Sequence, residues 1–243
     1  MAILAADDRI ITALDVDSFD EMRMMVDCLG DSMSYYKVGM ELFYREGPVT
    51  VEYLKKQQKL VFLDLKLHDI PHTVAQGIAA LTRLGVNLMT IHSTGGRAMM
   101  TAAVDSARET AAALGIERPR ILAVTALTSF DDQGWQEIGG AIPISDHVIK
   151  LARLAQLAGV DGVVASPREA GLLRGICGKD FLIVTPGIRP AFAQANDQKR
   201  IMTPSEALQV GASKLVIGRP ILRADDPAEA VQLILSEIQG GIR

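Results

Sequence analysis

The sequence predicts an α/β protein, a closed (β/α)8 barrel of the TIM type. Three observations predict it: eight short apolar runs rich in β-branched residues, helical spacing between them, and a length of 243 residues. Apolar strands buried on both faces suit a parallel sheet covered by helices. Eight repeats in a chain this long favour closure into a barrel over an open doubly wound sheet. No GxGxxG follows the first run, which weakens a dinucleotide-binding alternative. No composition break or linker marks a second domain, so residues 1–243 are expected to form one.

In chain order the strand candidates are RIITALDV (9–16), YYKVGM (35–40), KLVFLDL (59–65) and VNLMTIH (86–92). They continue with ILAVTAL (121–127), DGVVAS (161–166), FLIVTPG (181–187) and KLVIG (214–218). Roughly eight helices are expected between them, among them 18–30, 71–85, 95–115 and 145–159. Each of these four ends at a glycine (Gly30, Gly85, Gly115, Gly159), as helix C-termini commonly do. The methionines, including Met22, Met24, Met25, Met99 and Met100, are expected in the core.

Charged residues make up 22% of the chain and the net charge is −4, so overall electrostatics give no pull toward nucleic acid or an anionic membrane. The opening MAILAADDRI lacks the pattern of a secretory signal, and no apolar run approaches a membrane span. Cys28 and Cys177 lack metal-ligand spacing and read as free thiols. The expectation is a soluble cytoplasmic protein.

In a (β/α)8 barrel the site belongs at the C-terminal strand ends. Asp15 ends the first run and Lys37 lies in the second. The third, FLDLKLHDIPHTV (62–74), brings Asp64 and Lys66, two apart and therefore on one face, with Asp69 in the loop that follows. Confined charges of both signs avoid the cost of desolvation only by neutralising one another. Carboxylates around Lys66 favour its ammonium form, which makes it a proton donor. Thr125 lies towards the end of the fifth run and Thr128 just past it. TPGIRP (185–190) and IGRPI (217–221) close the seventh and eighth, where this fold often binds phosphate. Gly187 and Gly218 admit backbone N–H groups to an anion, and Arg189 and Arg219 supply forked donors. The polar connection 187–204 has the length of a lid, and Gln198 could bring an amide to the same phosphate.

The four histidines point to no metal centre. His68 and His72 are four apart, but Pro71 interrupts any regular helix that would hold both. His92 is expected to hydrogen-bond at a strand end and His147 to lie on a helix surface.

With these residues in place, the chain closely resembles the orotidine 5'-phosphate decarboxylase family from Asp15 to Arg219. The carrying motif is Asp-x-Lys-x-x-Asp-Ile at 64–70, supported by LD (14–15), KVG (37–39), TALTS (125–129), PGIRP and IGRPI. The resemblance implies a homodimeric carboxy-lyase that makes uridine 5'-phosphate for pyrimidine biosynthesis without cofactor or metal. It implies that Asp15 and Lys37 hold the ribose, Lys37 also joining the charge network. Asp64 would face the substrate carboxylate and Lys66 would protonate the ring carbon. Asp69, Ile70 and Thr73 would belong to the substrate site, Asp69 and Thr73 reaching it across the dimer interface. Thr128 would lie at the pyrimidine. Pro186, Arg189, Gln198, Gly218 and Arg219 would line the remainder, Arg189, Gln198, Gly218 and Arg219 binding the phosphate. Two rivals stay open. One is a magnesium-dependent sugar-phosphate decarboxylase or aldolase on a related barrel, which has a Glu where this chain has Lys37. The other is a non-catalytic phosphate-binding barrel.

Overall fold

The computed structural model describes residues 4–193 and 202–240. Its strands are β1 (Ile10–Ala13), β2 (Tyr35–Gly39), β3 (Leu60–Leu67), β4 (Leu88–His92), β5 (Arg120–Val124), β6 (Gly162–Val164), β7 (Leu182–Thr185) and β8 (Lys214–Ile217). Each strand pairs in parallel with the next, and β1 pairs with β8. The sheet is therefore the expected closed barrel.

The helices are α1 (Phe19–Leu29), α2 (Met40–Glu46), α3 (Val49–Lys56), α4 (Pro71–Thr82), α5 (Gly96–Leu114) and α6 (Asp132–Glu137). They continue with α7 (Ile144–Leu157), α8 (Ala170–Cys177), α9 (Pro204–Gln209), α10 (Arg219–Leu222) and α11 (Pro227–Gly240). The described residues thus hold eleven α-helices against the expected eight or so. Gly47, at φ 76°, and Pro48 split the β2–β3 crossover into α2 and α3. Short α6 and α10 decorate the ends of β5 and β8. The four glycines expected to end helices all take positive φ. No helix of the described residues is long and apolar enough to cross a membrane.

Strand alternation builds two cores. One face of the strands, with Ile11, Ala13, Tyr35, Phe62, Leu88, Leu122, Val184 and Val216, forms a small cluster inside the barrel. The other face packs with the helices into the larger core, which takes Tyr36, Leu63, Met89 and Ile183. Helix α1 shows the matching pattern: Met22, Val26 and Leu29 are buried at helical spacing. Met24 falls on the opposite side and is 60% exposed, contrary to its expected place in the core. Met99 and Met100 are buried as expected. Cys28 and Cys177 are both free.

Candidate active site

On the β1–β4 side of the barrel the inward residues above the apolar plug are polar. Lys37 stands two residues past Tyr35 on β2, Asp64 two past Phe62 on β3, and Thr90 two past Leu88 on β4. Asp15 follows the end of β1. The plug keeps water from the barrel centre, so the charges collect at its C-terminal mouth.

They form a single chain of ion pairs. Lys37 Nζ lies 3.0 Å from Asp15 Oδ1 and 3.8 Å from Asp64 Oδ2, and Lys66 Nζ lies 2.9 Å from Asp64 Oδ2. Cations and carboxylates alternate, so each buried charge meets its opposite. Lys37 is only 8% exposed, which makes that compensation necessary. Gly39 makes room for it: a Cβ there would stand 3.0 Å from Lys37 Nζ and 3.6 Å from Asp15 Oδ1.

Lys66 has a second distinction, a left-handed backbone at φ 52°. Such a conformation is uncommon for a residue with a Cβ, and it clusters at functional sites. It coincides with an irregularity in the β3–β4 ladder between Leu63 and Leu67.

A cavity of about 320 Å³, within the range of small-molecule sites, spans this mouth. Asp15, Lys37, Asp64 and Lys66 line it together with Thr128, Pro186, Gly187, Arg189, Gly218 and Arg219. Its floor is apolar, from Phe62, Val124, Val164 and Val216. Arg189 is buried, and its Nη1 donates to Ile188 O at 3.0 Å. Its backbone N–H donates to Met202 O at 3.0 Å, tying the two ends of the long connection together.

Some predicted residues fall elsewhere. Asp69, Ile70 and Thr73 are exposed beside the mouth and do not line the cavity of their own chain. Asp69 Oδ1 accepts the Ile70 N–H at 2.7 Å. Gln198 lies outside the described residues. Thr125 is buried and donates to Val164 O at 3.1 Å, a structural role that leaves the cavity wall to Thr128. Among the described residues no side-chain hydrogen bond reaches the His92 ring, which lies 5.2 Å from that of His68. Burial, then His68 and Lys66, pushes His92 below the ordinary histidine range. His147 is not simply a surface residue either, since its ring packs 4.7 Å from Trp135 and burial lowers its pKa.

The sequence reading missed Thr90. Its hydroxyl bonds both Asp64 and the Lys66 backbone, yet a threonine in VNLMTIH is ordinary β-strand composition and carries no signal. The apolar floor was equally silent, because its residues look like any barrel interior.

A larger cavity, about 460 Å³, opens at the opposite end of the barrel beside Tyr35, Arg118 and Lys214. Two of its charges are paired locally, Arg118 with Asp161 and Lys214 with Asp8. In this fold chemistry sits at the other end.

Fold and site together define a (β/α)8-barrel enzyme with a compensated charge cluster and two arginines at its mouth. Comparison with known proteins narrows that class. Residues 8–234 match the model of the orotidine 5'-phosphate decarboxylase / HUMPS family. The chain is 51% identical to orotidine 5'-phosphate decarboxylase of Geotalea daltonii, over 96% of this chain and 97% of the relative. It is 50% identical to the protein of that name from Trichlorobacter lovleyi, covering 98% of each. A crystal structure of orotidine 5'-phosphate decarboxylase from Lactobacillus acidophilus superposes with a TM-score of 0.85 at 41% identity, over 96% of this chain and 99% of that one. The chain belongs to the orotidine 5'-phosphate decarboxylase / HUMPS family.

Proposed function

We propose that this protein decarboxylates orotidine 5'-phosphate to uridine 5'-phosphate and carbon dioxide, the closing step of de novo pyrimidine synthesis. The observation that carries the proposal is the alternating chain Asp15–Lys37–Asp64–Lys66 in a cavity also lined by Arg189 and Arg219. The whole chain acts as one catalytic domain, in the cytoplasm.

The substrate lies across the cavity. Its phosphate meets Arg189, Arg219 and the Gly218 backbone, with Gln198, outside the described residues, as a further phosphate ligand, and Asp15 and Lys37 hold the ribose. The pyrimidine packs on Thr128 and Pro186, and its carboxylate faces Asp64. Breaking the carbon–carbon bond leaves the electron pair on the ring carbon, in the ring plane, where no π system delocalises it. Stabilisation must come from fixed charge in a site that excludes water. The Lys66 ammonium faces the developing carbanion and transfers its proton there, and solvent restores the lysine. Asp64 repels the substrate carboxylate by ~4 kcal/mol for unit charges ~4 Å apart at an effective dielectric near 20. That repulsion aids the reaction to the extent that it is relieved in the transition state. Phosphate binding, remote from the reacting carbon, supplies the energy that holds this geometry.

Asp69 and Thr73 complete the site of a second copy in a homodimer, and Ile70 belongs to the substrate site. Their exposure beside the mouth, outside their own cavity, supports this assignment.

Lys37 argues against the rival reading, a magnesium-dependent sugar-phosphate decarboxylase or aldolase on a related barrel. Its ammonium stands between Asp15 and Asp64, where it would repel a cation from those carboxylates. The test is to follow orotidine 5'-phosphate absorbance with purified protein, with and without a chelator. Turnover that survives the chelator is expected. No turnover would overturn the function, and chelator-sensitive turnover would overturn the metal-independent mechanism.

A further inference from the structure

Thr90 faces inward from β4 and is 1% exposed. Opposite it the ladder is irregular: Leu63 pairs with Met89, and pairing resumes only at Leu67 with Ile91. Four steps along β3 therefore answer two along β4. The surplus falls in Asp64–Leu65–Lys66, where Lys66 takes φ 52°. A bulge of this kind disrupts the main-chain pairing, and a buried N–H must find another acceptor.

The hydroxyl of Thr90 fills that gap. The Lys66 N–H donates to Thr90 Oγ1 at 2.9 Å, and Thr90 Oγ1 lies 2.9 Å from Asp64 Oδ1. An amide can only donate and an ionised carboxylate can only accept, so the hydroxyl proton points at Asp64. One atom thus fixes the backbone beneath the lysine and the torsion of the carboxylate. With Oδ1 held by the hydroxyl, Oδ2 faces Lys66 Nζ at 2.9 Å and Lys37 Nζ at 3.8 Å.

We propose that Thr90 is the positioning residue of this site, its hydroxyl holding the left-handed backbone at Lys66 and the rotamer of Asp64 in register for proton delivery. The catalytic consequence rests on the decarboxylase reading; the structural role stands apart from it. Thr90 acts through Asp64 and Lys66 and does not line the substrate cavity.

Two variants and two readouts test it. Thr90→Val keeps the volume and removes the hydroxyl, whereas Thr90→Ser keeps the hydroxyl. In Thr90→Val kcat should fall roughly 10- to 100-fold, the scale of a sub-ångström misplacement. KM and the Kd for uridine 5'-phosphate should stay within about threefold, because ground-state binding is not what the hydroxyl serves. Thr90→Ser should recover kcat to within about fivefold of the parent. Hydrogen exchange of the Lys66 amide should quicken at least ~10-fold in the valine variant and little in the serine variant. If the valine variant does not fold, Thr90→Ala removes the hydroxyl without placing a methyl against the carboxylate. A parent inactive on orotidine 5'-phosphate would overturn the functional reading alone, and amide exchange would still decide the role of Thr90. Unchanged amide exchange in the hydroxyl-free variant, parental kcat in it, or an equal kcat loss in the serine variant would overturn the proposal.

Discussion

Lys66 meets two demands at one position, an ammonium aimed at a carboxylate 2.9 Å away and a backbone at φ 52°. Its left-handed conformation costs of order 1–2 kcal/mol, which the surrounding contacts must offset. Lys66→Ala should leave the fold intact, since the side chain is partly exposed at the mouth, and should lower turnover by at least roughly 10²–10⁴-fold. Substantial activity in that variant, with unchanged circular dichroism, would remove the lysine from the proton-donor role. His92 supplies a pH prediction. Burial first, then its neighbours His68 and Lys66, lower its pKa in the folded protein, while in the unfolded chain it titrates at about 6.5. As pH falls below that value the unfolded state takes up the proton first, so stability declines through the window down to the folded pKa. Thermal melts between pH 8 and pH 5 should show Tm decreasing with acidity, and His92→Gln should flatten the slope; His147, shifted the same way, supplies the remainder.

At the element scale, strand contacts set the constraints. Gly162 on β6 packs so closely on β7 that an added Cβ would lie 2.3 Å from Leu182 O and 2.4 Å from Leu182 Cβ. A backbone neighbour cannot swing aside, so Gly162→Ala should destabilise the barrel by about 1–3 kcal/mol, the usual cost of overpacking. A denaturant midpoint equal to the parent's would contradict that closeness. The end of β8 carries the phosphate prediction. Arg219→Ala removes a charged donor worth about 1.5–3 kcal/mol, so phosphorylated ligands should weaken some 10- to 100-fold. Orotidine, which lacks the phosphate, should bind nearly as before; equal losses for both ligands would separate Arg219 from the phosphate. These elements were largely legible in advance. Apolar runs and helical spacing are local patterns, and all eight strands fall where those patterns lie. Strand ends were less legible: β1 stops at Ala13 and β5 at Val124, short of the apolar runs, because pairing with neighbours ends there.

For the whole molecule, the open question is whether one chain makes a complete site. Asp69 and Thr73 are exposed beside the mouth, and the proposed two-fold dimer would share them between its two sites. Inactive Lys66→Ala and Asp69→Ala chains can be mixed and allowed to exchange subunits. In a mixed dimer with shared sites, one site lacks both residues and the other keeps both. Random exchange makes half the dimers mixed, so activity should return to roughly a quarter of the parent's. Mixed dimers confirmed by mass spectrometry, with no recovery, would place Asp69 in its own chain's site.

The sequence by itself determined the barrel and the strand ends that carry charge. Those follow from periodicity and residue chemistry within a few positions of each other. Only the tertiary structure decided that Asp64 stands between two lysines, that Thr125 turns into the wall while Thr128 faces the cavity, and that His68 meets His92. It alone set the bulge at Lys66 and brought Thr90, 24 residues distant, beneath it. The register between two strands is a property of their pairing, and a one-residue slip would turn every side chain to the other face.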